Sequence, residues 1–451
     1  MTRRTLVLVT VAGVAAGVWY VLSPLSVICL LATIALVRWA GDGLDAGERR
    51  WIVAVVVTAV AARVLVILGL YLVTNHQQVP FANLFGDEDY FLRRSLWMRN
   101  IALGLPMHRA DLIYAYDPDI RTSFLYVLAF LQVLFGPAPY GAHLFSIVCY
   151  VGASIVLYRI VRPSYGRLPA LLGLVMLLFL PTQFAWSVSA LKEPLYFLAM
   201  SVGLAAAVAI GRPGSAPKHL AAAAALIASA LAAQSIREGG FAMAAVGAGV
   251  GLTIGLIGRR PRLLLPIAAG CLLALVLFAS RGTSRDRALV AFRHAVTTHW
   301  DQVNAPGYVY TILDRSFYTS HEAVREMTIP QGARYVAGSL VAYAVVPLPW
   351  RIRSRAALTY LPEQIVWYLL LALVPVGVVA GRIRDPQLTA LLAAYAVAAA
   401  VLVALTSGNV GTLVRHRGLA LPYLLWFSML GACEITARLA SSKRDFHAHH
   451  R

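Results

Sequence analysis

Apolar runs of about 17–22 residues recur along nearly the whole of this 451-residue chain, and each is long enough to cross a bilayer as a helix. Hydrophobic residues make up 59% of the sequence and charged residues only 13%, so polar surface is too scarce to coat that much apolar helix in water. The expected fold is therefore all-α and polytopic. The runs fall at 5–22, 23–40, 51–74, 140–160, 168–186, 191–211, 219–236, 240–258, 263–280, 362–381, 388–406 and 418–438. Two further stretches, 122–136 and 332–349, are shorter or interrupted and are expected to lie in the interface. Arg3 and Arg4 before the run from Thr5 to Leu22 resemble a signal peptide, but a second apolar run follows at once without a convincing small-residue cleavage site, so an uncleaved helix is expected.

The formal net charge is +19, which on a soluble chain would suggest nucleic acid. Here the bases fall between apolar runs, where they act as topology signals and contacts for anionic lipid; no nucleic-acid partner is expected. Arg38, Arg49 and Arg50, Arg159, Arg162 and Arg167, Arg212 and Lys218, Arg259, Arg260 and Arg262, and Arg382 and Arg384 fall on one side if twelve segments span. Both termini then join them in the cytoplasm. The organisation read from this pattern is two N-terminal helices in 1–50, a membrane core in 51–280 with a first outer loop at 75–139, an outer, mostly helical region at 281–361, C-terminal helices in 362–440, and a disordered cytoplasmic tail at 441–451. Cys29, Cys149, Cys271 and Cys433 lie singly inside apolar runs, as small core residues do.

The first outer loop carries the acid run Asp87-Glu88-Asp89, preceded by Gly86 and flanked by Phe85 and Tyr90. A carboxylate there can act as a general base, with burial raising its pKa toward a useful range. It can equally sit at a helix N-terminus, where acids complement the dipole, so that one acid caps while another works. The same face holds candidate phosphate-binding bases: Arg93, Arg94, Arg99, Arg109 and Arg121; Lys192 beside Glu193; Arg237 beside Glu238; Arg351, Arg353 and Arg355; and Arg415 and Arg417. Arg93, Arg94 and Arg99 also fit the solvated face of an interfacial helix, and the Lys192–Glu193 and Arg237–Glu238 pairs fit structural salt bridges. Within 281–361, Trp300, Tyr308, Tyr310, Phe317 and Tyr318 are aromatic faces suited to sugar rings or to the membrane interface.

The order of these pieces resembles the GT-C superfamily of polytopic glycosyltransferases, especially bacterial members related to protein O-mannosyltransferases and aminoarabinose transferases. The likeness covers most of 51–211: a helix, an outer loop with acids, an apolar helix ending Leu134-Phe135-Gly136, a span ending Tyr158-Arg159, then Ser164-Tyr165-Gly166-Arg167. Pro347-Leu348-Pro349-Trp350, Leu361-Pro362-Glu363 and Gly408 to Thr412 with Arg415-His416-Arg417 look like GT-C-like membrane proteins of polysaccharide clusters. The sequence departs from the family in lacking the usual proline pair before the interfacial helix, in having two extra N-terminal helices, and in carrying its large outer region between spans.

The resemblance implies a bacterial plasma-membrane enzyme that moves a sugar from a polyprenyl-phosphate carrier to a glycan, lipid or protein acceptor on the outer face. It implies an acid of the first outer loop, Asp87 or Glu88, with Glu88 and Asp89 as the alternative pair, acting as base or binding a divalent cation such as Mg or Mn. It places the carrier phosphate on basic residues of the outer turns, here Lys192, Arg415 and Arg417; Arg237 and Arg353, read from the sequence itself, are further candidates for that phosphate. The alternatives are a polymerase or ligase acting on lipid-diphosphate glycans, which has less need of the acid run, and a lipid-glycan flippase. A flippase would be expected to hold charges at mid-membrane depth and broken helices, whereas the notable charges in this sequence cluster at span ends.

Overall fold

Short polar side chains set the helix starts in this sequence: Asp45 accepts from Glu48 N at 2.8 Å, and Asp385 accepts from Gln387 N and Leu388 N at 3.1 and 3.0 Å. A computed structural model describes the chain apart from residues 1–4, 8, 12, 15–16, 18–22, 80, 117–121, 306–307, 352–360 and 450–451. The helices are α1 Pro24–Ala40, α2 Ala46–Val73, α3 Gly86–Ala102, α4 Arg109–Ala115, α5 Ser123–Phe135, α6 Pro139–Tyr165, α7 Arg167–Phe179, α8 Pro181–Val188, α9 Glu193–Gly211, α10 Ala216–Ile236, α11 Gly240–Arg259, α12 Leu264–Ser280, α13 Gly282–Asn304, α14 Glu322–Arg325, α15 Ile329–Val345, α16 Leu361–Arg384, α17 Pro386–Thr406, α18 Val410–Arg417 and α19 Leu421–His449. Among the described residues the only β-pairing is an isolated antiparallel bridge between Val309 and Asn409.

The all-helical expectation holds. Among the described residues seven helices, α2, α6, α9, α10, α11, α16 and α17, are long and apolar enough to cross a membrane; the pairs α7/α8, bent by 60°, and α18/α19, bent by 64°, raise the number to as many as nine. α1 and α12 have 17 residues each, and half of the run expected at 5–22 lies outside the described residues. The stretch 122–136 forms α5, which buries Phe124, Leu125, Leu128 and Ala129 and exposes Tyr126, Phe130 and Leu134 at a spacing of four. One differing segment is the tail: α19 runs to His449, where the sequence suggests disorder from 441.

The chain divides into two compact units. The first comprises Met1–Ile160, Leu174–Ala205 and Ala225–Phe241. Inside it α3 packs on α5 through Phe91 and Phe124, whose rings meet edge to face at 5.4 Å. Polar ties secure the same contact: Gln132 Nε2 donates to Ser95 Oγ at 2.8 Å, and Arg99 Nε donates to the Gln132 carbonyl at 3.1 Å. Arg94 is buried, donates to the Ala115 carbonyl and lies over the Tyr90 ring at 4.7 Å. The bases at 93–99 are thus not a solvated face; two of the three tie the loop helices together.

The second unit comprises Val161–Gly173, Ala206–Ala224 and Ala242–Arg451. Its main seam is α16 against α19. A Cβ at Gly377 would stand 1.9 Å from the Phe427 carbonyl oxygen, and one at Gly431 2.3 Å from that of Leu373, so both glycines are needed for backbones to approach this closely. The region after α12 is helical with a small core of its own, in which Val296, Leu313, Phe317, Tyr318, Val324 and Tyr335 are buried together.

His299 of α13 is fully buried in this core. Its Nδ1 lies 2.8 Å from the Ser407 carbonyl and its Nε2 3.2 Å from the Tyr318 hydroxyl. The Tyr318 oxygen already accepts from Ile312 N at 3.0 Å, so its proton points to Nε2 and the neutral Nδ1–H tautomer satisfies every group. Burial, opposed by the bond to Ser407, lowers the His299 pKa to about 4. The unfolded imidazole titrates near pH 6.5, so stability is complete above that value and is lost as pH falls from about 6.5 toward 4. Moving from pH 7 to pH 5 is expected to cost about 2 kcal/mol through this group. Thermal unfolding of wild type and His299→Gln at both pH values checks this, the variant showing a correspondingly smaller acid loss.

Candidate functional site

Gly86 follows the extended Phe85 and starts α3, and the three acids occupy its first turn. The alternating environment separates them. Asp87 is exposed, Glu88 is fully buried, and Asp89 is half-buried. Asp89 pairs with Arg93 one turn on at 2.6 Å, with both side chains partly exposed.

Glu88 is the acid that the dipole argument anticipates, turned inward. Its Oε1 accepts from Leu84 N at 2.9 Å and Phe85 N at 2.8 Å, and its Oε2 from Ala190 N at 3.1 Å. The first two bonds close the N-terminal turn; the third fastens α3 to the break between α8 and α9. Burial raises the Glu88 pKa above the ordinary carboxylate value, and the donors from Phe85, Ala190, Leu84 and Ser189 pull it back. Glu88 is therefore corrected from candidate base to structural clamp, because its oxygens face amide protons and no acceptor hydroxyl reaches a fully buried group. With its oxygens engaged by these donors, Glu88 is poorly placed for the alternative role that the resemblance offers Asp87 and Glu88, binding a divalent cation. Among the described residues no group of three or more His, Cys, Asp or Glu side chains is assembled that could hold a metal ion.

Glu88→Gln is expected to lower stability by about 1–3 kcal/mol, since an amide has one acceptor oxygen for three donors and adds N–H groups facing N–H groups. The change should register as a lower unfolding temperature and faster proteolysis in 75–85.

The break that Glu88 holds carries Lys192, which is half-buried, and Glu193, which is buried. Arg237, in the turn between α10 and α11, brings Nη1 to 3.6 Å from Glu193 Oε1. Thr122 at the start of α5 donates to the Ile236 carbonyl at 2.7 Å, and the Ser123 and Ser235 hydroxyls meet at 2.8 Å. The first unit thus joins the acid-bearing end of α3 to the Lys192 break, and the start of α5 to the Arg237 turn. The geometry offers exposed carboxylate at Asp87 and cationic groups at Lys192 and Arg237.

Arg415 and Arg417 belong to the second unit. Arg417 is buried: Nε donates to the Tyr343 carbonyl at 2.9 Å, Nη1 to Gln364 Oε1 at 2.7 Å, and Nη2 to the Val346 carbonyl. Its guanidinium also lies over Trp367 at 5.0 Å. With its donors directed at these oxygens, Arg417 is corrected from phosphate ligand to an internal brace of α15, α16 and α18. Arg415 is half-buried on α18. Arg121 and Arg353 lie outside the described residues.

Two buried groups in the first unit are not anticipated as site residues. His143, near the start of α6, stacks on Phe81 at 4.2 Å and donates from Nδ1 to the Val188 carbonyl at 2.7 Å, with Glu88 Oε2 3.7 Å away. Arg63, in the middle of α2, donates to Ser187 Oγ at 2.6 Å and to the Leu178 carbonyl at 2.6 Å. Each was signalled by a polar residue interrupting an apolar run. No protein-family model matches the chain, and no curated protein or solved structure matches it.

Proposed function

We propose that this protein is a membrane glycosyltransferase that moves a sugar from a polyprenyl-phosphate carrier to a hydroxyl-bearing acceptor at the outer face of a bacterial plasma membrane. The proposal includes twelve spans and cytoplasmic termini, as the distribution of short-loop bases implies. One observation carries the reading: Glu88 accepts from Ala190 N at 3.1 Å, so that the acid run and the Lys192 break are tied together in one unit. Acids for an acceptor and a base for a phosphate are what such a transfer requires in one place.

In the proposed step Asp87 takes the proton of the acceptor hydroxyl. The oxygen forms its bond to the anomeric carbon as the bond from that carbon to the phosphate oxygen breaks. The electron pair leaves with the carrier phosphate, whose charge Lys192 and Arg237 offset. Direct displacement inverts the anomeric centre. Asp89, held by Arg93, lies one residue on and shapes the field at Asp87 without being the proton acceptor.

The test is transfer by the purified full chain in liposomes, with radiolabelled polyprenyl-phosphate hexose as donor and membrane extract as acceptor. Label should move to acceptor with inversion. Transfer from a lipid-diphosphate glycan but from no monophosphate donor would overturn this reading in favour of a polymerase or ligase.

A further inference from the structure

A cavity of about 440 Å³ in the second unit is lined by Tyr308, Tyr310, Thr311, Arg315, Val346 and Leu348, together with Val309. Its wall is rigid. The Val309–Asn409 bridge brings Tyr310 N to 3.2 Å from the Gly408 carbonyl and Val410 N to 2.9 Å from the Tyr308 carbonyl. The Tyr310 hydroxyl donates to the Ser407 carbonyl, the same oxygen that His299 Nδ1 contacts. Gln302 Oε1 accepts from Gly408 N at 3.0 Å, and a Cβ at Gly408 would stand 2.3 Å from the His299 carbonyl oxygen. Backbone bonds thus hold the chain at Tyr308 and Tyr310, and the Ser407 carbonyl holds the Tyr310 ring, before any ligand arrives, which reduces the ordering cost of binding.

Arg315 supplies charge at this cavity. Its side chain is exposed, and no ion pair or hydrogen bond engages it among the described residues, although Asp314 next to it faces Arg334 at 3.5 Å. Aromatic rings present flat apolar faces to the C–H face of a pyranose, a hydroxyl such as Thr311 suits sugar hydroxyls, and an unpaired guanidinium is a fork for carboxylate or phosphate oxygens. From the pairing of two lining tyrosines on a braced backbone with a disengaged arginine in one cavity, we infer that this is a binding site for a pyranose ring bearing an anionic group. The anion is a uronate carboxylate or a sugar phosphate, which present the same oxygens to Arg315. The site stands independently of the transferase reading, and it is read by binding alone.

The test uses the full chain in lipid nanodiscs with four probes, namely glucuronic acid, glucose 1-phosphate, glucose and inorganic phosphate, each followed by saturation-transfer NMR titration. At least one anionic sugar should bind about tenfold more tightly than either glucose or phosphate, the difference that one charge-assisted contact supplies. Which of the two binds identifies the source of the anion. Arg315→Gln should bring that sugar down to the affinity of glucose, Arg315→Lys should recover part of the loss, and Tyr308→Ala should weaken every sugar about tenfold. Arg285→Gln, an exposed cation elsewhere on the chain, should change nothing. Equal affinity for glucose and both anionic sugars overturns the proposal, as does phosphate binding as tightly as either of them, which would mark an anion patch without a sugar site. Unchanged binding in both Arg315→Gln and Tyr308→Ala, with each variant eluting as wild type on size exclusion, also overturns it.

Discussion

Asp87→Asn should lower transfer by roughly 10²–10⁴-fold, the usual contribution of a positioned general base, while leaving the fold almost intact. The two roles open to this residue differ most sharply in that comparison. An exposed acid in the first turn of a helix contributes only about 0.3–1 kcal/mol through the dipole, and asparagine remains acceptable there. If Asp87 serves α3 alone, Asp87→Asn shows a small drop in melting temperature and full transfer. If it takes the acceptor proton, the melting temperature barely moves and transfer collapses. Asp89→Asn is expected to lose roughly tenfold, because it releases Arg93 beside the base without removing the base itself. Radiolabel transfer under donor saturation, measured for both single variants and the double, decides the matter. Activity within threefold of wild type in Asp87→Asn and in the double variant would remove the acid run from the mechanism. Glu88→Gln provides the contrast: its expected loss is in stability, because its oxygens close the helix turn and hold Ala190 N.

The sequence pattern made the helices legible because a span announces itself by length and apolarity, and each of the seven long apolar helices among the described residues overlaps a run read directly from the chain, most of them extending past one or both of its ends. Boundaries and breaks were harder to read. The run 168–186 looks continuous, yet Pro181 withdraws an N–H and the helix bends by 60° there. In the candidate site, the alternation of burial along the acid run was beyond reach: three adjacent acids look alike in sequence, and only the packing of α3 turns Glu88 inward and leaves Asp87 in the open. Arg417 stood out for the opposite reason. A base that breaks the positive-inside pattern invites a functional role, but the oxygens around it come from Tyr343, Val346 and Gln364, far away in sequence. Arg63 and His143 were visible as polar interruptions of apolar runs; their partners were not, because Ser187, Leu178 and Val188 come from the distant α7–α8 segment.

Arg63→Met should destabilise the protein by about 2–4 kcal/mol and loosen the bend between α7 and α8. Pro181 has no N–H to offer the Leu177 carbonyl, and the chain beyond it turns away. The Tyr150 hydroxyl donates to the Leu177 carbonyl at 2.8 Å, and Arg63 Nη2 donates to the Leu178 carbonyl at 2.6 Å. Arg63 Nε holds Ser187 Oγ near the end of α8, while Phe184 and Tyr150 face the guanidinium at 4.6 and 5.5 Å. Burying such a charge without a carboxylate is costly, and in a water-soluble core an apolar substitute is often neutral or better. The comparison changes for a span: an unpacked α2 in the bilayer also keeps Arg63 away from water, so much of the desolvation is common to both states. What packing adds is hydrogen bonds at about 1.5–3 kcal/mol each to a charged donor and ring contacts at about 0.5–2 kcal/mol, less the ordering of the side chain. Methionine forfeits these, including the bond to the Leu178 carbonyl. Lysine keeps the charge but cannot fork between Ser187 and Leu178, so Arg63→Lys should lose nearly as much. Because Ser187 leads directly into the break that Glu88 holds through Ala190, both variants should also expose the Lys192 segment to protease. A melting temperature at or above wild type in Arg63→Met would mean that charge burial outweighs the contacts, and the bend would then need another cause.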